Sequence, residues 1–106
     1  MTKYAILSDI HANTDALNVV LEKCRELEVD KYVCLGDIVG YNAEPKECIQ
    51  MIRDLNPVAV VKGNHDDYAS RNDDRMDGFN PHAQRAVIWT KNQLDEEEQN
   101  YLASLP

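Results

Sequence analysis

The chain has 106 residues, of which 43% are hydrophobic, and its formal net charge is -8. This size fits one domain with its own core, and the composition excludes global disorder. With 19 acidic against 11 basic residues, the sequence also excludes a general electrostatic attraction to nucleic acid or acidic membranes. An acidic protein can still bind phosphate esters if metal cations lie between the two.

The cysteines and the N-terminal segment indicate in which cellular compartment the protein resides. Cys24, Cys34 and Cys48 lie in apolar segments, and no two of them form a C-x-x-C pair. This pattern is typical of buried, reduced thiols. The apolar run at residues 4–7 is too short for a signal-peptide core or a membrane span. We therefore expect a soluble, cytoplasmic protein.

The first third of the chain predicts a strand, a helix and a second strand. Residues 4–7 form a short apolar run typical of a buried parallel strand, and residues 32–35 form another. Between them lies a helix that Asn13 or Thr14 can cap. Its predicted buried face consists of apolar residues at helical spacing: Leu17, Val20, Leu21, Cys24 and Leu27.

A second helix and a third strand follow. Pro45 suits the first turn of a helix, and Asn56-Pro57 ends it. Its apolar stripe is formed by Cys48, Ile49, Ile52 and Leu55. Residues 58–61 are rich in β-branched residues and predict a third strand.

The last third of the chain is more polar. Residues 67–80 show no periodicity and predict a loop or a poorly ordered helix, while Asn80-Pro81 opens a helix that runs to about Gln93. We expect Trp89 on this helix to be packed. Asp95 and Glu98 resemble a capping box that opens a last short helix. We interpret residues 1–106 as a single domain, with motif strands and crossover helices in residues 1–66 and the polar loop and C-terminal helices in residues 67–106.

The order of elements predicts an α/β fold with a βαβαβ parallel sheet and flanking helices. Asp9 and Asp37 are 28 positions apart, and Asp37 and Asn64 are 27 apart, close to the ~30 residues of one βαβ unit. Because parallel strands end at the same edge, polar residues behind the three strands should meet there, where open α/β sheets place their sites.

Oxygen and nitrogen side chains at this edge favour divalent transition ions. Asp9 and His11 can chelate one ion from the same strand end. Asp37 has two carboxylate oxygens and can bridge two ions, and neutral Asn64 can ligate the second. Two ions ~3.5–4 Å apart can share a water, lower its pKa and hold a phosphoryl group. We therefore expect two divalent transition-metal ions, most plausibly Mn, Fe or Zn.

The residues after Asn64 suggest proton transfer. His65 would point at the leaving-group oxygen as a catalytic proton donor, and Asp66 would orient its ring. Asp66 also has an alternative role as a helix cap, and Asn64 as a turn residue. For Asn13, capping is the simpler role, although its amide could also face the substrate.

Three ordered motifs resemble the calcineurin-like metallophosphoesterase superfamily, in particular its compact bacterial and archaeal phosphatase or phosphodiesterase branch. These motifs are Asp9-x-His11, Gly36-Asp37 and Gly63-Asn64-His65-Asp66. The resemblance implies a sandwich of two β-sheets flanked by helices, and hydrolysis of phosphate esters by a metal-bridging hydroxide without a phosphoenzyme. It also implies roles for five residues: metal ligation by Asp9, His11, Asp37 and Asn64, and catalysis by His65.

The sequence departs from this family in its histidines. Members carry further metal-binding histidines downstream, including a Gly-His-x-His motif, whereas the third histidine here, His82, matches none of them. Two six-coordinate ions need about ten to twelve bonds, of which the matched residues supply about five. We therefore expect the N-terminal half of a longer enzyme, or a site completed by a partner chain. An isolated half-sandwich would expose an apolar sheet face and associate as a homo-oligomer.

Other interpretations remain open at this stage. Asp9, Asp37 and His11 could be ordinary loop or capping residues, and His82 is best explained as a surface helix residue. A non-catalytic metal-binding or interaction domain on the same scaffold is the main alternative function, favoured by the missing histidines. A flavodoxin-like phosphate-binding module is disfavoured, because the acidic residue after the first strand would repel phosphate without metal.

Overall fold

A computed structural model of the chain describes residues 1–71 and 78–106. Strands and helices alternate through the first part, and helices follow. In chain order the elements are β1 (Tyr4–Leu7), α1 (Thr14–Glu26), β2 (Lys31–Cys34), α2 (Pro45–Asp54), β3 (Ala59–Val60), α3 (Asn64–Ser70), α4 (Pro81–Gln93) and α5 (Glu96–Ser104). The predicted βαβαβ order and the α/β class are confirmed.

The three strands form one parallel sheet in the order β1-β2-β3. Leu7 pairs with Cys34, and Cys34 pairs with Val60. The last residues of the three strands therefore lie side by side. As a result, the loops that follow β1, β2 and β3 all leave the sheet at the same edge, as the sequence predicts.

The core lies between the sheet and its helices. Helix α2 contributes three residues with at most 1% exposure, Cys48, Ile49 and Ile52. The loop after β2 contributes Ile38 and Val39, which have no exposed surface. Because this loop is anchored by buried apolar side chains, the polar residue just before it, Asp37, is held in a fixed position.

Two predictions about the core are wrong. In α1, Leu17, Leu21 and Cys24 are buried as predicted, but Val20 is 43% exposed and Leu27 is 50% exposed. In β1, Ile6 is 66% exposed although Leu7 is buried, so the strand is covered on one face only. Other exposed apolar residues in or beside the strands are Leu35, Val58 and Val61.

The C-terminal helices begin with the predicted caps. The Asn80 side chain accepts from the backbone N–H of Ala83 at 2.8 Å. At the start of α5, Asp95 and Glu98 exchange side-chain to backbone hydrogen bonds of 2.8 Å each. In the polar segment, residues 67–70 belong to α3, which agrees with the helical alternative of the prediction. Residues 72–77 of that segment lie outside the described part of the chain.

Within the residues described, no helix combines the length and the apolarity that crossing a membrane requires.

Candidate metal centre

The loop after β1 is held against the loop after β2 by backbone hydrogen bonds. The N–H of His11 donates to the carbonyl of Asp37, and that of Ala12 to the carbonyl of Ile38, both at 2.8 Å. Asp9, His11 and Asp37 all have positive φ, of 55°, 49° and 55°. Such backbone is uncommon for residues other than glycine and concentrates at functional sites. Here it turns the polar residues of both loops toward the sheet edge.

Gly36 and Gly63 allow the loop after β3 to approach the loop after β2 closely at the sheet edge. A Cβ on Gly36, whose φ is +101°, would lie 2.4 Å from the backbone nitrogen of Gly63. A Cβ on Gly63 would lie 2.3 Å from Oδ1 of Asp37. Any side chain at either position would push the loops apart, so this sequence requires glycine at both.

The carboxylate of Asp66 joins the second and third loops. It has no exposed surface, and it accepts from the N–H groups of Asp37 (2.8 Å), Ile38 (2.9 Å), Val39 (3.2 Å) and Gly63 (3.1 Å). Burial raises the pKa of Asp66, and the hydrogen bonds from Gly63 and Val39 oppose that rise. Asp66 therefore holds the backbone that positions Asp37.

These contacts gather three ionisable side chains at the edge. Asp9, His11 and Asp37 each offer a ligand atom, and the three atoms lie within 4.8 Å of one another. Asp9 is exposed, and the other two are partly buried. One carboxylate and one imidazole from the first loop, with a carboxylate from the second, form a donor set that suits a divalent transition ion.

The hydrogen bonding of His11 provides a further test of whether a cation fits. Its Nδ1 lies 3.2 Å from the carbonyl oxygen of Val39, and a carbonyl can only accept, so Nδ1 carries a proton. Its Nε2 lies 3.5 Å from Oδ1 of Asp9. In a neutral ring Nε2 is an acceptor that faces another acceptor, an arrangement that a cation between them stabilises. The residues therefore fit a metal ion.

Asn64 and His65 reach the edge from the start of α3. Asn64 is exposed and is the first residue of the helix, and the N–H of His65 donates to Oδ1 of Asp37 at 3.1 Å. The structure thus places Asn64 directly beside a residue that contacts Asp37.

The ring of His65 is enclosed by other rings. Its centroid lies 4.9 Å from that of His11, 4.5 Å from Tyr41 and 4.8 Å from Phe79. Nδ1 of His65 is buried and has no hydrogen-bond partner among the described residues. Burial, followed by the neighbouring His11, lowers the pKa of His65, and Asp37 and Asp9 oppose that change. The ring is therefore largely neutral near pH 7.

A glycine also fits against this ring. Gly40 has a φ of +99°, and a Cβ there would lie 2.2 Å from Nδ1 of His65. Gly40 and Tyr41 lie in the loop between β2 and α2. Their pairing with His65 joins positions more than twenty residues apart, and no local pattern signals it.

For Asp66, Asn13 and His82 the contacts favour one of the alternative roles that the sequence predicts. Within the described part of the chain, Asp66 bonds to backbone and not to the ring of His65, so its capping alternative is supported and its ring-orienting role is not. The Asn13 side chain accepts from the N–H of Ala16 at 3.0 Å, which makes it the cap of α1. His82 lies exposed on α4 with its Nδ1 3.1 Å from Arg85 Nη2.

The chain belongs to the calcineurin-like phosphoesterase family, whose model matches residues 2–104. It is 47% identical over 102 residues to the uncharacterized protein MJ0912 of Methanocaldococcus jannaschii, covering 96% of this chain and 41% of that protein.

Solved structures agree with this assignment. A metallophosphoesterase from Sphaerobacter thermophilus is 44% identical with a TM-score of 0.82, and the match covers 99% of this chain and 42% of that one. A candidate diadenosine tetraphosphatase shares the fold at 20% identity and a TM-score of 0.73, over 97% of this chain and 42% of the other. The chain thus spans about two fifths of the length of these relatives.

Proposed function

We propose that this chain contributes to metal-dependent hydrolysis of phosphate esters, as the N-terminal half of a dinuclear site. The observation that carries the proposal is the meeting of Asp9, His11 and Asp37 at one strand edge, with ligand atoms within 4.8 Å of one another. Membership of the calcineurin-like phosphoesterase family supports the same reaction class. The metallophosphoesterase from Sphaerobacter thermophilus supports it further through its identity of 44%.

In this proposal Asp9, His11, Asp37 and Asn64 hold the ions. Divalent metal at such a site supplies Lewis acidity toward a phosphoryl oxygen and an activated water. Asp37 is suited to a central position, because its Oδ1 already accepts from the N–H of His65 and a carboxylate has further lone pairs to offer. Asp66 acts through Asp37 by fixing that residue's backbone, so we assign it a positioning role.

His65 is the proposed proton donor. Proton donation requires the imidazolium form, which returns to the neutral ring once the proton has moved to the leaving-group oxygen. Because the pKa of His65 is lowered, this form is the minor one near pH 7 and gives up its proton readily. The rings of His11, Tyr41 and Phe79 pack around His65, exclude water and hold the ring in one orientation.

Hydrolysis assays test the proposal. With Mn²⁺ added, the full-length protein should release nitrophenol from bis-p-nitrophenyl phosphate, p-nitrophenyl phosphate or both, which also separates diesterase from monoesterase activity. The variants Asp37→Ala and His65→Ala should each lower kcat by on the order of 100-fold. Activity that survives both substitutions would overturn the proposal.

Asp15→Ala is the matched control for Asp37→Ala. Asp15 is an exposed acid in the first turn of α1, outside the ligand cluster, so its removal should leave kcat within about twofold of the parent. Measuring the metal content of the purified protein distinguishes the hydrolase from the main alternative function. Bound transition metal without turnover would favour a non-catalytic metal-binding domain.

Three further properties belong to the proposal. We place the protein in the cytoplasm, because all three cysteines are free and buried. We propose Mn, Fe or Zn as the ions, because the donors are a mixture of oxygen and nitrogen atoms.

We also propose that isolated chains self-associate through exposed apolar residues of the sheet, such as Ile6 and Val58. Light scattering that finds only monomers would contradict this.

A further inference from the structure

A cleft of about 260 Å³ lies beside the metal centre, and none of the described residues that line it is charged. We call it the aromatic cleft, and it is lined by Tyr41, Asn42, Ala43 and Trp89. The first three residues come from the loop after β2, and Trp89 comes from α4. Tyr41 is 57% exposed and Trp89 is 43% exposed, so both rings present surface to solvent, contrary to the expectation that Trp89 is packed.

Tyr41 belongs to both the cleft and the metal centre. Its ring centroid lies 4.5 Å from that of His65 and 5.2 Å from that of His11. A tight turn presents it there, since Tyr41 has a φ of 66° and the N–H of Asn42 donates to the carbonyl of Gly40 at 2.8 Å. A bulky residue held in left-handed backbone is unusual enough to suggest a functional position.

The side chains that line the aromatic cleft indicate which type of chemical group binds there. Half-exposed aromatic rings favour flat apolar groups, which stack on them or contact their edges. In a chain of net charge -8, the uncharged side chains among the described wall residues form a surface where a neutral group can bind. The amide of Asn42 adds a donor and an acceptor for the edge of a heterocycle. The volume falls below the range of pockets that enclose a drug-sized ligand, so one ring system fits and a dinucleotide does not.

We propose that the aromatic cleft binds the planar aryl or heterocyclic part of the phosphate ester, while the phosphoryl group lies at the metal centre. The inference rests on the proposed function for the position of the phosphoryl group. The contact of Tyr41 with both histidines places the two subsites next to each other, as an ester with a ring close to its phosphate requires. Nucleoside monophosphates and aryl phosphates have this form.

Binding can be followed without turnover, because Trp89 is the one tryptophan in the sequence. Adenosine 5′-monophosphate should quench its fluorescence in a saturable way, and ribose 5-phosphate should not. Tyr41→Leu should weaken binding of adenosine 5′-monophosphate by about tenfold. Tyr4→Leu is the matched control, since Tyr4 is 53% exposed on β1 and does not line the cleft, and it should bind like the parent.

Three further variants test the cleft without changing Tyr41, whose ring contacts that of His65. In isothermal titration calorimetry, Trp89→Leu should weaken binding of adenosine 5′-monophosphate by about tenfold, Trp89→Phe should restore most of it, and Ile88→Ala on the same helix should have no effect. In assays, Trp89→Leu should raise KM for p-nitrophenyl phosphate with kcat unchanged. Parent-like affinity in both Tyr41→Leu and Trp89→Leu, or equal binding of ribose 5-phosphate and adenosine 5′-monophosphate, would overturn the inference.

These outcomes separate the two proposals. Selective binding of adenosine 5′-monophosphate by a protein that hydrolyses no ester would support the cleft and contradict the proposed function. Metal-dependent hydrolysis with no preference for ring-bearing esters would support the proposed function and contradict the cleft.

Discussion

The strand edge contains two groups of residues that differ in burial and in partners. Asp9, His11 and Asp37, the ligand layer, are exposed or partly buried and bring their ligand atoms together. Beneath them lies the support layer, formed by Gly36, Gly40, Gly63 and Asp66. Asp66 is fully buried, and among the described residues its carboxylate accepts hydrogen bonds from backbone N–H groups alone. A Cβ on any of the three glycines would clash with a neighbouring segment of the site.

The comparison of Asp37 with Asp66 shows how environment divides two identical side chains. Asp37 keeps a carboxylate at the surface of the site, whereas Asp66 uses its carboxylate to hold four N–H groups of the surrounding loops. Substitutions in the support layer should therefore cost folding free energy. Substitutions in the ligand layer should cost metal affinity and leave the fold in place.

The largest effect is expected at Asp66. Asp66→Ala leaves four backbone donors without their partner, and each unsatisfied buried donor costs about 1–3 kcal/mol. We expect the free energy of unfolding to fall by about 4 kcal/mol or more, measured by urea denaturation. Asp67→Ala is the control, because Asp67 is partly exposed and pairs with Arg71 and Lys62, and it should cost about 1 kcal/mol or less. An equal fall in the free energy of unfolding in the two variants would contradict the stabilising role of the support layer.

Gly40 tests the packing around His65. Gly40→Ala combines left-handed backbone with a clash 2.2 Å from Nδ1 of His65, and should lower the free energy of unfolding by about 3 kcal/mol. Gly78→Ala shares the left-handed backbone, with φ +90°, but its Cβ would meet no atom of the described residues within 4 Å, so about 1 kcal/mol is expected. The difference between the variants isolates the steric part, and no difference would mean that the His65 ring moves freely.

Asn13 lies in the loop after β1, close in sequence to the ligand layer, and caps α1. Asn13→Ala and Asn80→Ala remove equivalent caps, whose hydrogen bonds are 3.0 and 2.8 Å long, and each should cost about 1 kcal/mol in thermal or urea unfolding. If Asn13 is a cap alone, its variant should also keep the KM of the Asn80 variant. A raised KM for Asn13→Ala would assign it to the substrate site as well.

The smallest effect on the site is expected from Cys48, a buried residue of helix α2. Burial, with Glu44 and Glu47 nearby, raises the pKa of Cys48 to about 12, and its side chain has no exposed surface. At pH 8 about one such thiol in ten thousand would be ionised. Iodoacetamide should leave Cys48 unmodified in the folded protein and modify it in urea, as read by mass spectrometry. Modification at the rate of a free thiol without denaturant would contradict this burial.

The sequence predicted the elements whose signals are local. Helical spacing and the capping residues Asn13, Asn80 and Asp95 mark three helix starts, and apolar runs mark the strands. The meeting of Asp9 and Asp37 also followed, because parallel strands end at one edge.

Features that depend on distant contacts could not be predicted in the same way. The partners of Asp66 lie up to 29 positions away, and the packing of His65 against Gly40 joins helix α3 to the loop after β2. The sequence leaves loop and helix open for residues 67–70 of α3, because this polar stretch shows no apolar stripe. Val20 and Trp89 were expected to be buried, but helical spacing alone does not reveal which face is covered.

Anomalous diffraction at the manganese absorption edge, from crystals grown with Mn²⁺, would test the central claim most directly. We predict an anomalous peak within coordination distance of Asp9, His11 and Asp37, and loss of that peak in Asp37→Ala crystals that keep the fold. Mn²⁺ bound elsewhere with no peak among these three residues would contradict the proposed metal centre.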